Sequence, residues 1–187
     1  MIKFLVLPVV MTIAASAAAQ PLDLDAIAKQ PGTQVTRRGD TVEIERGGVT
    51  VTIDKNGETG VDKSGHAVLC YWNLAIVAKI SADLCYPGEF PQLSAMLGQF
   101  IDTANTFIAT NSLRPVARAQ LEKNIADRTV KAAAGIKAAG VPPAQNRVCQ
   151  RQREDDLVPL NAELEKYRRE FQDTLKVPRP PVENPCY

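Results

Sequence analysis

The chain has 187 residues, including 22 basic residues, 21 acidic residues and one histidine, and its formal net charge is +1. This balance lacks the positive excess that binding to a phosphate backbone requires, which argues against nucleic acid as a partner. A lone histidine without neighbouring cysteines also supplies too few ligands for a zinc site, so neither a metal nor another cofactor is predicted.

The first 19 residues have the pattern of a cleavable signal peptide. Lys3 is the only charged residue before Asp23, and the stretch that ends at Ala15 is almost entirely apolar. Small side chains from Ala17 to Ala19 place the cleavage site after Ala19. We therefore predict export to the periplasm or the exterior, with an uncleaved anchor as the alternative. No later segment is expected to reach the ~20 apolar residues of a membrane span.

Residues 20–187 form a mature chain of about 168 residues, a normal size for a single domain. An even number of cysteines in an exported protein favours structural disulfides. No two of them have CxxC spacing, which argues against a thioredoxin-type redox motif and a zinc knuckle. The four cysteines are Cys70, Cys85, Cys149 and Cys186.

The predicted fold is α+β and mainly α, and its first part is an antiparallel β-meander of three or four strands over residues 33–61. Apolar and polar residues alternate around Ile44 and again around Val51. Gly47 and Gly48 lie between these two runs as a tight turn, and Gly57 follows an asparagine in a hairpin turn. A small sheet needs a cover for its apolar face, and the helical part is expected to provide it.

Residues 66–175 are predicted to form a four-helix up-and-down bundle beneath the sheet. The clearest stripe belongs to the second helix, whose inward residues include Leu93, Leu97 and Phe100. The third helix has small inward residues, which disfavours a ligand cavity in the core. Pro159 is expected to interrupt the fourth helix with a kink or a short break. The predicted helices cover residues 66–84, 91–110, 115–139 and 143–175.

Prolines make residues 176–187 an extended tail, which ends beside Cys186. Cys70 and Cys85 lie at opposite ends of the first helix, roughly 20 Å apart, so they cannot pair with each other. In an up-and-down order, Cys85 lies at the end of the bundle where the fourth segment begins. We therefore favour the pairs Cys85–Cys149 and Cys70–Cys186.

Candidate catalytic residues are few, and none is assigned. His66 could in principle work with Ser64 or Ser81, but nothing resembling GxSxG surrounds either serine. Carboxylates of the glycosidase kind cannot be recognised without their separation in space. The acidic run 154–156 is expected on a solvated face. The remaining candidate carboxylates are Glu89, Asp102, Glu122 and Asp127.

Aromatic residues suggest a contact surface. Tyr71 and Trp72 are adjacent on a helix and point about 100° apart, so one of them should lie at a rim. We predict a groove between the sheet and the first helix, edged by Tyr71, Tyr86 and Arg114. The predicted function is a non-catalytic binding module with an envelope or extracellular protein as its partner; the alternative is a small hydrolase that uses carboxylates or His66.

Overall fold

The structure, a computed structural model, describes residues 22–186. A four-stranded antiparallel sheet comes first along the chain, and helices follow it. The predicted α+β class is therefore confirmed. The signal peptide and its cleavage after Ala19 lie outside the described residues, and the single-domain organisation of residues 20–187 stays a prediction.

The sheet is a simple meander in which each strand pairs with the next in the chain. Alternation decides its two faces: Ile44, Val49 and Val51 are buried, and their neighbours along each strand are more exposed. The tight turn at Gly47 and Gly48 has positive φ angles at both residues, as the sequence predicts. The strands are β1 (Gln34–Arg38), β2 (Thr41–Arg46), β3 (Val49–Asp54) and β4 (Gly57–Asp62).

The apolar face of the sheet is covered by a short helix, α1 (Leu24–Ala28), by the start of the next helix and by the C-terminal tail. Val182 of the tail belongs to this apolar cluster together with Ile27 and Cys70. A Cβ on Gly60 would lie 2.3 Å from Val182 Cγ1, so the missing side chain lets the tail approach β4. The sheet is therefore covered by α1, the start of α2 and the tail together, whereas the sequence predicts the helical bundle as its cover.

A separate apolar core lies among the helices. The inward residues predicted for the second long helix are confirmed, since Leu93, Leu97 and Phe100 are all buried. Trp72 is also buried, and its indole N–H donates to Asn105 Oδ1 at 2.8 Å. The helices are α2 (Val68–Cys85), α3 (Pro91–Asn111), α4 (Arg118–Ala138), α5 (Arg147–Gln152), α6 (Val158–Ala162) and α7 (Leu164–Thr174).

Helix α2 is the most apolar of these helices. Its 18 residues have a mean hydropathy of 1.4, which is sufficient in length and composition for a membrane span, contrary to the expectation from the sequence. The core helix of a soluble protein passes the same test, and 44% of this stretch is buried inside the protein. Packing against α3 accounts for the buried apolar side chains of α2, whereas Leu74 and Val77 remain exposed.

Two helical segments differ from the predicted bundle. Helix α4 has no buried residue among those described and lies at the periphery, where partly buried Leu121 and Ile125 contact the core. The fourth segment is divided, with a π-helical turn at Arg153–Leu157 between α5 and α6. Pro159 has no N–H to donate to the carbonyl four residues earlier, and Val158 N–H donates five residues back, to Arg153 O. The π-helical turn ends directly before α6, which contains Pro159, and the chain leaves the helix again at Glu163.

Two disulfides and one ion pair hold the tail and α5 in place. Cys85 bonds Cys149, and Cys70 bonds Cys186, which are the two pairs that the helix order favours. In the tail, Arg179 Nε donates to Asp62 Oδ2 at 2.7 Å, and the two side chains are 4% and 0% exposed. The tail is therefore fixed to the end of β4 and to the start of α2.

Candidate functional site

An open groove of about 360 Å³ lies between α2 on one side and α6, α7 and the π-helical turn on the other. We call it the α2–α7 groove. Its floor includes Ala75, Ala78 and Leu97, which are buried in the core. At one end, Cys70 and Pro185 bring the disulfide-bonded tail into the lining. The groove therefore depends on tertiary packing of segments that are far apart in the chain.

The wall formed by α2 is apolar and open to solvent. Tyr71, Leu74 and Val77 are spaced three residues apart, which places them on one side of the helix. Leu74 and Val77 are 49% and 38% exposed, although they lie on a helix that is otherwise central to the core. Clustered exposed apolar side chains of this kind are typical of binding surfaces.

The opposite wall combines aliphatic and aromatic side chains from α6 and α7, namely Leu160, Tyr167 and Phe171. Phe171 anchors this wall, because its ring stacks on Phe100 at 4.4 Å between centroids. The same ring meets Tyr71 edge-on at 5.8 Å, which links the two walls at one end of the groove. Such contacts fix the ring positions and leave the groove preformed.

Three acidic residues, Asp155, Asp156 and Glu170, border the groove, and among the described residues that line it there is no Lys or Arg. Burial raises the pKa of Asp156, the negative charge of Asp155 raises it further, and Arg151 opposes both effects. Asp155 itself pairs with Arg151 at 3.1 Å on the exposed side. The expectation that the acidic run 154–156 lies only on a solvated face is therefore wrong for Asp156, which is half-buried.

The predicted groove edged by Tyr71, Tyr86 and Arg114 does not form. Tyr71 and Tyr86 are separated by almost the whole length of α2, about 22 Å at 1.5 Å per residue. Tyr86 packs edge-on against Phe90 at the far end of α2, and Arg114 forms an ion pair with Glu58 of the sheet. Only Tyr71 lines the observed groove. Its position at a rim, with Trp72 in the core, agrees with the helical spacing.

The single histidine is engaged in a contact that does not prepare a nucleophile. His66 Nδ1 lies 3.1 Å from Tyr71 Oη. The Ser64 hydroxyl donates to Asp62 Oδ1 at 2.6 Å, and the Ser81 hydroxyl donates to Gln152 Oε1 at 3.2 Å. A serine nucleophile needs a hydrogen bond to the imidazole, and neither serine makes one here.

The candidate carboxylates outside the groove form exposed ion pairs. Glu89 pairs with Arg153, and Lys123 pairs with Asp127. Asp102 and Glu122 share Arg118 as their partner. Within residues 22–186, no group of three or more His, Cys, Asp or Glu side chains could hold a metal ion.

The residues that build the α2–α7 groove could not be found from the sequence apart from Tyr71. The one available signal was the apolar pair Leu74 and Val77, which falls outside the inward stripe of α2. Comparisons with protein-family models, curated proteins and solved structures find no match for this chain.

Proposed function

We propose that this protein is an exported, non-catalytic binding module whose α2–α7 groove holds an apolar segment of an envelope or extracellular partner protein. The groove itself carries the proposal: solvent-open apolar side chains from two packed helices border a preformed concavity. The two disulfides support a location outside the cytoplasm, because such bonds persist in oxidising compartments.

Export through cleavage after Ala19, to the periplasm or the exterior, is part of the same proposal. The up-and-down order of the helical segments also belongs to this proposal. In that order, the groove is a site beside α2 where one more helix would fit. Neutral charge in the mature chain supports a protein partner over nucleic acid.

The alternative of a small hydrolase receives no support from contacts in the part of the chain that the structure describes. His66 contacts Tyr71, and the candidate carboxylates Glu89, Asp102, Glu122 and Asp127 form ion pairs with basic residues. We therefore put forward the binding function alone.

The test uses a neutral fluorescent dye whose emission rises in apolar surroundings. Leu74→Asp and Val77→Asp place charges in the groove at positions that are already exposed, so the fold should be retained. Val130→Asp is the matched control, because Val130 is 70% exposed on α4 and does not line the groove. We expect each groove variant to weaken dye binding about tenfold, the effect of ~1.4 kcal/mol, while the control binds as the wild type does. Equal binding by all four proteins would refute the proposal.

A further inference from the structure

The direction of the two walls of the α2–α7 groove follows from contacts at and beyond its ends. The Tyr71 ring meets Phe171 at one end, and beyond the other end the Ser81 hydroxyl donates to Gln152 of α5. The walls therefore run in opposite directions along the chain. The part of α2 that lines the groove, from Tyr71 to Ala78, spans about 10 Å, roughly two turns of a helix.

The acidic side chains are divided between these ends. Asp155 and Asp156 follow Gln152 and lie towards the Ser81 end, whereas Glu170 directly precedes Phe171 at the Tyr71 end. The side chains between them are apolar. The groove therefore presents negative charge, an apolar stretch and negative charge again.

Two of these carboxylates have no direct hydrogen-bond or close ion-pair partner in residues 22–186. They belong to Asp156 and Glu170, and both residues are half-buried. Each has a cation at longer range, since Arg151 interacts electrostatically with Asp156, and Lys166 with Glu170. A purely apolar ligand would cover these carboxylates without pairing them, which is unfavourable. A ligand with a cation near each end of an apolar surface would pair them with charge-assisted hydrogen bonds.

Taking the proposed binding function as given, we infer that the occupant is a basic amphipathic helix of a partner protein, with Lys or Arg near both ends of an apolar stripe about two turns long. A groove between two helices accepts such a helix through side chains spaced three and four residues apart. The spacing of Tyr71, Leu74 and Val77 matches that periodicity. Attraction between opposite charges sets the orientation and selects against acidic segments.

The experiment measures the binding of labelled synthetic peptides of about 14 residues, long enough to extend past both ends of the ~10 Å groove, to the full mature protein by fluorescence anisotropy. Two peptides share a leucine stripe and differ in having Lys or Glu at both ends. A third has the Lys composition in scrambled order. At low salt, we expect the Lys-ended peptide to bind at least about tenfold more tightly than the Glu-ended one, with a ratio that falls as salt screens the charges.

Two matched variants test whether the preference for the Lys-ended peptide depends on the charges of the groove or on the net charge of the protein. The groove variant Asp155→Asn/Asp156→Asn/Glu170→Gln should bring the Lys-to-Glu ratio close to one. The control variant Asp25→Asn/Asp40→Asn/Glu43→Gln also removes three negative charges, but at positions that do not line the groove, and it should preserve the ratio. Circular dichroism confirms that both variants fold.

Three results would overturn the inference. They are equal affinity for the Lys-ended and Glu-ended peptides, equal affinity for the Lys-ended peptide and its scrambled version, or binding to lipid vesicles without binding to any peptide. If one of these occurs while Leu74→Asp still weakens dye binding about tenfold, only the identity of the occupant is wrong. If Leu74→Asp also leaves dye binding unchanged, the proposed function is wrong as well.

Discussion

Replacement of Arg179 by methionine should destabilise the fold strongly, because it leaves a buried carboxylate without its cation. The guanidinium donates to Asp62 Oδ2 at 2.7 Å, to His66 O at 3.0 Å and to Val177 O at 3.2 Å. Arg179 thus ties the tail to β4 and to the segment before α2. Methionine retains most of the side-chain length, so the variant removes charge and hydrogen bonds with little loss of packing volume.

The expected loss in the free energy of unfolding depends on the burial of the ion pair and on the hydrogen bonds that Asp62 keeps in the variant. Removal of one partner from a buried ion pair usually costs about 3–5 kcal/mol. Asp62 keeps two hydrogen bonds, from the backbone N–H and the hydroxyl of Ser64, at 2.8 Å and 2.6 Å. These bonds continue to solvate the carboxylate, which places the expected loss at the lower end, about 3 kcal/mol.

Urea unfolding of the oxidised protein measures this loss, with Trp72, the only tryptophan, as the fluorescent probe. At an m-value of about 2 kcal/mol/M, the midpoint should fall by about 1.5 M. Lys123→Met is the matched control, since Lys123 and its partner Asp127 are both 65% exposed, and it should change the free energy of unfolding by less than about 0.5 kcal/mol. A loss below about 1 kcal/mol in Arg179→Met would refute the reasoning.

Two further predictions concern the same region. Burial raises the pKa of Asp62, but hydrogen bonds from Ser64 and Arg179 outweigh it and hold this pKa below 3.8. Charged Asp62 therefore stabilises the fold above pH 3.8, and this contribution is lost as the pH falls through the pKa of the folded state. The free energy of unfolding, measured against pH, should show this loss in the wild type and not in Asp62→Asn. Identical pH profiles for the two proteins would contradict the prediction. Gly47→Ala should destabilise more than Gly48→Ala, because both have positive φ but only the Gly47 Cβ would lie 2.7 Å from a tail carbonyl; equal thermal melting temperatures would exclude that contact.

Local patterns were sufficient for much of the fold. Alternating residues around Ile44 and Val51 predicted the meander because a strand exposes alternate side chains on opposite faces. The stripe of α3 was predicted because Leu93, Leu97 and Phe100 recur at helical spacing. Even the favoured cysteine pairs followed from helix lengths and order, and the structure contains both.

The groove was beyond the reach of these patterns. Asp156 looked like one member of a solvated acidic run, and its half-burial depends on the π-helical turn and on where α2 lies. The predicted surface at Tyr71, Tyr86 and Arg114 was wrong because Tyr71 and Tyr86 lie near opposite ends of α2, and Arg114 pairs with Glu58 of the sheet.

Periodicity along the chain thus determined which segments form strands and helices and which side of most of them faces inward, since these depend on neighbours a few residues away. Tertiary structure alone decided which apolar side chains stay uncovered. Leu74 and Val77 remain exposed because α7 packs through Phe171 at one end of the groove and the π-helical turn packs at the other, and no local pattern encodes the gap between segments that are about 90 residues apart.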